Sequence, residues 1–293
     1  MFDIKNVLEP CTLSEAVKLY SKQPSLKVIA GGTDVLIHLH HGKIEGIDLL
    51  SLKNVNELKD ITILEDGSIS IGSMVSFSQI FKSDIIKKHI PILGEAAVSM
   101  GGPQIRNMAT VGGNVCNGAV SGDSAPTLFT LNAVLKLVNR DGGREVFIQD
   151  FYEGPGRVKL KEGEILSHIV ITKDNYQFMS GKYIKFSNRK AMDIAMISVA
   201  AVLTVSDAKF KDLRIGLGVS APTPIRCTEA ETYAINKTIS NAVISEISKL
   251  ALKSAKPRDS WRGSKAYREH LIEVLTTRAI KEALERSGVS VSD

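Results

Sequence analysis

The sequence predicts an α+β fold in two domains, the first of them two-lobed, and three observations carry that prediction. At the N-terminus the order helix, strand, glycine turn, helix makes a small α/β unit. From Ile61 the apolar period changes to alternation around Asp66-Gly67, the signature of a hairpin rather than of more helices. In the last third, strand-like runs come first and only helical patterns follow. We divide the chain into residues 1–176, with a small lobe over 1–55 and a larger one over 56–176, and residues 177–293.

Each element has a local reason. Thr12-Leu-Ser-Glu15 is a capping box ahead of apolar Ala16, Val17, Leu19 and Tyr20, which predicts a helix. Leu26–Ala30 reads as a strand running into Gly31-Gly32-Thr33-Asp34, and Val35-Leu36-Ile37 starts the next helix. Ile61, Ile63, Ile69 and Ile71 alternate with polar residues along the first hairpin. Helices are expected over Phe77–Ile86 and Pro91–Met100, followed by an irregular glycine-rich stretch from Gly101 to Ala125; stretches of that length are usually functional. Val134–Val138 and Val146–Ile148 suggest a second hairpin around Asp141-Gly142-Gly143. Polar residues near Lys173–Gly181 interrupt two strand-like runs and mark the boundary. Beyond it, Lys182–Phe186, Ile194–Val205 and Leu213–Val219 read as strands, Pro222 and Pro224 end the sheet, and Asn241–Ser254 and Gly263–Leu284 read as helices.

Composition excludes several classes. Hydrophobic residues are 43% and charged residues 24% of the 293, so the chain has the balance of a folded protein rather than a disordered one. No apolar run approaches the roughly 20 residues of a membrane-spanning helix, and Met1-Phe2-Asp3-Ile4-Lys5 lacks the layout of a secretion signal; a soluble protein is expected. Cys11, Cys116 and Cys227 are far apart, which offers no zinc or iron–sulfur site and fits a reducing cytoplasm. The net charge is +5, but the basic residues are dispersed apart from a stretch in the last quarter, and aromatics are only 5%. Nucleic acid is therefore not an expected partner.

Two glycine loops concentrate the candidate chemistry: Ala30-Gly31-Gly32-Thr33-Asp34 and Thr110-Val111-Gly112-Gly113-Asn114. Glycine admits positive φ and lets successive backbone N–H groups converge on an anion, and a helix N-terminus after the first loop would add dipole attraction. Thr33 and Thr110 offer hydroxyl donors, while Asp34 and Asn114 could hold a ribose or ribityl hydroxyl. Two loops could grip two phosphates; equally, both could be ordinary tight turns. Neither matches GxGxxG or GxxxxGK[ST], so any dinucleotide is bound by another route. His38, His40 and His41 fall on different faces of a helix and make a poor metal site. No GxSxG or HExxH appears, and nothing points to hydrolysis.

At these loops the sequence resembles a known family. AGGTD at Ala30–Asp34 and the run from Gln104 to Asn114 resemble the paired FAD-binding motifs of molybdenum hydroxylase flavoprotein subunits, as does Cys116–Pro126. Arg189 with Met192-Asp193-Ile194, the turn Ala221–Arg226, the Met1-Phe2-Asp3 start and Ser260–Lys265 extend the likeness over the whole chain, toward the FAD-binding subunits of bacterial three-subunit xanthine dehydrogenases. The resemblance implies a non-Rossmann, two-lobed FAD domain followed by a smaller domain of sheet plus helices. It implies that Lys27, Val28, Ile29, Ala30, Gly31, Gly32, Thr33 and Asp34 hold the FAD pyrophosphate with Val35 close by. By the same resemblance, Ala109, Thr110, Val111, Gly112, Gly113 and Asn114 form a second clamp, and Asp123 contacts the adenosine or ribityl side. Ile165 would pack on the cofactor, Ile184 and Lys185 would border the flavin ring, and Met100 stands where some relatives place an aromatic beside it.

The resemblance further implies molybdopterin on a large partner subunit and 2Fe–2S clusters on a small one, with electrons passing through FAD to NAD+ during oxidation of hypoxanthine or xanthine. A flavin performs the redox chemistry itself, so the lack of an acid/base constellation and of clustered cysteines is expected. The alternatives are the flavin subunit of another molybdenum hydroxylase, acting on carbon monoxide or an aromatic heterocycle, a non-redox nucleotide-phosphate binding protein, or a free-standing flavin oxidase.

Overall fold

A computed structural model describes residues 3–291, so the first two residues of the Met1-Phe2-Asp3 start lie outside the described part. The first lobe holds β1 (Ile4–Leu8), α1 (Leu13–Lys22), β2 (Lys27–Ile29), α2 (Val35–His40) and β3 (Ile47–Ser51). Its sheet is parallel, with β3 between β1 and β2. Thr12 caps α1 through its hydroxyl, which accepts from the Glu15 N–H at 3.1 Å. The Glu15 carboxylate reaches back to the N–H of Cys11 at 3.0 Å rather than to Thr12, so the predicted box closes one residue early. Ala16 and Val17 of α1 bury against Leu26, Leu50 and Leu52.

The second lobe runs through β4 (Ile61–Ile63), β5 (Ile69–Gly72), α3 (Phe77–Lys82), α4 (Asp84–His89), α5 (Pro91–Ser99), α6 (Pro103–Met108), α7 (Val111–Cys116) and α8 (Ala125–Thr130). It continues with β6 (Val134–Asn139), β7 (Gly142–Phe147), α9 (Ile148–Phe151), β8 (Tyr152–Gly154), β9 (Arg157–Val158) and β10 (Ile165–Ile171). An antiparallel sheet ordered β4-β5-β10-β6-β7 has the apolar β10 at its centre. Two expectations are corrected here. The single helix over Phe77–Ile86 is two helices, because Ser83 adopts an extended backbone (φ −62°, ψ 127°) and its hydroxyl caps α4 by accepting from the Ile86 N–H. The stretch from Gly101 to Ala125 is not irregular throughout: it carries α6 and α7 and runs into α8.

The last third forms β11 (Ser180–Phe186), β12 (Ile197–Ser206), β13 (Lys209–Gly218) and β14 (Ile225–Arg226), paired in that order, then α10 (Thr228–Ala234), α11 (Asn241–Ser254) and α12 (Lys265–Arg286). The β12–β13 hairpin turns on Asp207 and Ala208, both at positive φ (51° and 56°), as a tight two-residue turn with the right-handed twist requires. The sheet does not end at Pro222 and Pro224: β14 follows them and pairs with β13. Helices α10 to α12 cover one face, where Ile247, Leu275 and Ile280 are fully buried, each contributing about 1.5–3 kcal/mol.

The opposite face receives elements of the preceding part. Helix α8 lies on β13, where Gly216 leaves room for it: a Cβ there would fall inside the Pro126 carbonyl. Helix α5 packs on β11. Arg226 fastens the junction with a two-pronged pair to Glu231 (2.7 Å for each prong) and further donations to the Phe129 carbonyl (2.9 Å) and to Asn132 Oδ1 (2.7 Å).

Candidate functional site

The strand β2 delivers the first loop against the second. Gly31 sits so close to the Met108–Ala109 backbone that any Cβ would overlap the Met108 carbonyl, and Gly32 turns the chain at φ 74°. Among the described residues, the N–H groups of Gly31, Gly32, Thr33 and Asp34 have no acceptor within the chain. Four successive N–H groups without an acceptor on a half-buried glycine loop are available to an anion. The helix that follows, α2, spans only six residues and Asp34 makes no side-chain cap, so its dipole adds little.

The second loop uses its backbone differently. Val111 donates to the Val75 carbonyl (3.0 Å), Gly112 to Ser73 (2.9 Å), Asn114 to the Thr110 carbonyl (2.9 Å), and Gly113 to the Thr110 hydroxyl (3.1 Å). The N–H groups of the second loop therefore start α7 and tie it to the end of β5, whereas those of the first loop have no acceptor within the chain. Gly112 is required by contact, since a Cβ would meet the Ser73 side chain and backbone. A Cβ on Gly113 would stand 3.6 Å from that of Ala30, which places the two loops side by side. Asn114 turns onward: its Oδ1 accepts from the Ser124 hydroxyl at 2.7 Å.

Next to Ser124 lies the buried Asp123, facing β11. Lys185 Nζ stands 3.0 Å from Asp123 Oδ1 and 3.2 Å from Oδ2, and also donates to the Ser99 carbonyl at 3.1 Å. The Tyr183 hydroxyl donates to Asp123 Oδ1 at 3.3 Å. Burial raises the Asp123 carboxyl above the usual carboxylate range, with the Lys185 ammonium opposing it. Burial, and then the Asp123 charge, drive the Tyr183 phenol well above its ordinary value. Tyr183 is not singled out by the sequence reading, yet it precedes Lys185 by two and so shares its strand face, a signal that was available. A cleft of about 500 Å3 opens at Asp123.

The structure thus joins the Ala30–Asp34 loop, the Ala109–Asn114 loop, Asp123 and Lys185 along one line. Val28, Ala30 and Ile165 meet in one apolar cluster behind the first loop, with Ile165 almost fully enclosed. Lys27 is exposed, while Ile29 and Val35 are half-buried. Met100 is buried in the second-lobe core at the end of α5, its carbonyl accepting from Arg106 at 2.9 Å. Ile184 packs on the core of the C-terminal sheet rather than with the loops. His38, His40 and His41 gather no metal set, and among the described residues no cluster of three metal-ligating side chains exists. Among the described residues no helix is long and apolar enough to cross a membrane.

The first loop offers free N–H groups to an anion, and the comparisons specify the class of protein. Residues 2–173 match the family described as the FAD binding domain in molybdopterin dehydrogenase, and residues 182–283 match the CO dehydrogenase flavoprotein C-terminal domain. The chain belongs to the family of FAD-binding subunits of molybdenum hydroxylases. It is 41% identical over 288 residues to the xanthine dehydrogenase FAD-binding subunit of Escherichia coli O157:H7, covering 98% of this chain and 99% of that one. The carbon monoxide dehydrogenase medium chain of Afipia carboxidovorans is 28% identical, over 95% and 96% of the two chains. The solved structure of quinoline 2-oxidoreductase from Pseudomonas putida 86 superposes with a TM-score of 0.92 at 25% identity, over 98% and 99% of the two chains. The fold and the FAD domain expected from sequence are those of this family.

Proposed function

We propose that this chain is the electron-transfer subunit of a cytoplasmic xanthine dehydrogenase-type enzyme, which oxidises hypoxanthine or xanthine on a large molybdopterin subunit. A small subunit with 2Fe–2S clusters supplies the electrons and NAD+ receives them. The observation that carries this reading is the 41% identity over nearly the full length of a xanthine dehydrogenase FAD-binding subunit. When bound, FAD supplies the chemistry of accepting electrons singly and releasing them as a pair.

The chain's own residues bind and orient. The N–H groups of Gly31 to Asp34 hold the pyrophosphate, with the Thr33 hydroxyl beside them; Lys27 to Ile29 and Val35 frame that loop, and Ile165 supports it from behind. The residues Ala109 to Asn114 wall the cofactor on the other side. Asp123 and Lys185, a paired and therefore neutral unit, border the ring without placing a net charge beside it. Met100 and Ile184 shape the same border through the cores they fill. The division at 176/177 separates the part that carries both loops from the part that carries Lys185.

The test is to purify the three-subunit complex and titrate it anaerobically. Xanthine should bleach a flavin band that releases FAD at about one per chain, the saturation of a single site, and NAD+ should restore the band. Bleaching only by an aromatic heterocycle or carbon monoxide would assign the subunit to a different hydroxylase. A colourless chain that takes up no FAD would end the flavin reading.

A further inference from the structure

Of the three side chains tied together at Asp123, one has no task so far. Asp123 itself lines the cleft, and Lys185 supplies its countercharge. Tyr183 carries no charge and is not among the residues that line the cleft. Its ring is buried in the apolar cluster that also holds Ile92, Leu93, Ala96 and Val202. A hydroxyl in such surroundings is costly unless it is hydrogen-bonded, and phenylalanine would fill the same volume without that cost. The hydroxyl therefore calls for a reason.

The strand that carries it is fixed from two sides. Alternation along β11 puts Tyr183 and Lys185 on one face, and helix α5 grips both. Glu95 Oε2 accepts from the Tyr183 N–H at 3.0 Å, and the Ser99 carbonyl accepts from Lys185 Nζ at 3.1 Å. Glu95 is paired in turn with Arg286 at the end of α12, which also donates to the Gly181 carbonyl at 2.7 Å. A phenol mounted in this way has a defined reach.

It reaches one carboxylate oxygen of the two. Asp123 Oδ1 receives the Tyr183 hydroxyl at 3.3 Å and the Lys185 ammonium at 3.0 Å, whereas Oδ2 receives the ammonium alone, at 3.2 Å. Among the described residues Asp123 has no other donor. Each carboxylate oxygen accepts two hydrogen bonds, so Oδ1 is filled and Oδ2 keeps an open lone pair. Lys185 stands almost evenly between the two oxygens and, as a point charge with rotatable donors, would serve either orientation of the carboxylate. Tyr183 is the asymmetric contact. It decides which oxygen stays inside.

We propose that Tyr183 is a positioning residue that tunes the flavin: its hydroxyl fixes the orientation of Asp123 and shares the carboxylate's charge, so that Asp123 borders the ring without opposing its reduction. The inference rests on the reading that Asp123 and Lys185 border the flavin ring, and adds a residue that acts only through Asp123. Reduction adds negative charge to a flavin. A carboxylate stripped of one donor beside it therefore favours the oxidised form, as any like charge would.

Y183F removes the hydroxyl and keeps the ring that fills the core. In the FAD-loaded full chain, Y183F should retain FAD at the wild-type stoichiometry. It should hold the reduced form about tenfold less tightly relative to the oxidised form, which lowers the midpoint potential by about 30 mV for a two-electron couple. Spectroelectrochemical titration of wild type and Y183F reads that shift. A hydroxyl with a merely structural role would lower the melting temperature and leave the potential in place. A potential that is unchanged or raised overturns the inference. Loss of FAD from Y183F overturns it as well, by making the hydroxyl part of what retains the cofactor. Failure of the underlying reading looks different: the wild-type chain takes up no FAD, or the flavin of D123N keeps the wild-type potential, which would place the ring away from Asp123.

Discussion

The two glycine loops are alike in composition and lie against each other, yet they commit their backbones in opposite ways. At Gly31 to Asp34 four N–H groups are left without acceptors, and glycine is needed because the neighbouring backbone passes too close for a Cβ. At Val111 to Asn114 the N–H groups are consumed by Val75, Ser73 and Thr110, and the loop becomes the first turn of a helix. A paired-glycine motif therefore does not specify a binding loop. The destination of its N–H groups distinguishes the two, and of this pair the first loop alone leaves them without an acceptor in the chain.

The contrast can be broken at its strongest point by G31A. The new methyl would overlap the Met108 carbonyl and force the loops apart, costing at least about 3 kcal/mol and abolishing flavin retention; thermal unfolding and released FAD measure both. Next comes the buried pair beyond the second loop. K185M leaves the Asp123 carboxyl without its cation and should destabilise by about 3 kcal/mol, whereas the double variant K185M/D123N should recover most of that loss, because no uncompensated charge remains. Denaturant unfolding of the three variants checks it.

A finer separation compares the two threonines. T110A removes a helix cap and should lower stability by about 1 kcal/mol along with flavin affinity, while T33A should leave the melting temperature unchanged and weaken flavin alone. Equal losses of stability would erase the distinction between the loops. The smallest effect is in pH dependence, since each loop has a buried carboxyl near it that is shifted in the opposite sense. Glu164, next to Ile165 behind the first loop, is held below the usual range chiefly by its hydrogen bonds from Arg144. Its stabilisation is complete above the unfolded value of about 4.3 and is lost as pH falls through the lowered folded value, so the wild-type advantage over E164Q should shrink on acidification. Asp123 is raised, so the folded state holds its proton longer. Wild type should lose stability relative to D123N as pH climbs from about 4 through the folded value. Melting curves across that range resolve the two slopes.

Much of this was readable in the chain. Helices with a capping residue and a clear apolar stripe, such as α1 and α11, match expectation, and so do the hairpins at Asp66-Gly67 and Asp141-Gly142. The parallel strands β1 and β3 escaped because no tight turn announces them and their partners are distant in sequence. The break at Ser83 is hidden beneath an apolar period that continues from Ile80 to Ile86 across two helices, although a serine three residues before Ile86 was a capping signal. Helices α6 and α7 are one to two turns long and depend on tertiary contacts rather than propensity, so periodicity could not show them. At the site, the residue types were legible and their commitments were not. Nothing in Thr110-Val-Gly-Gly-Asn114 says that its N–H groups are already occupied.

The contact of α8 with β13 carries a last consequence, for heredity rather than for chemistry. Pro126 belongs by sequence to the part that holds both loops, but it rests on a floor kept bare by Gly216 and Gly218, ninety residues further on. Any recombination between relatives that exchanges the C-terminal sheet alone separates a protrusion from its notch. Functional chimeras should therefore inherit Pro126, Gly216 and Gly218 as a set, and the family's two halves should travel through evolution as one gene segment.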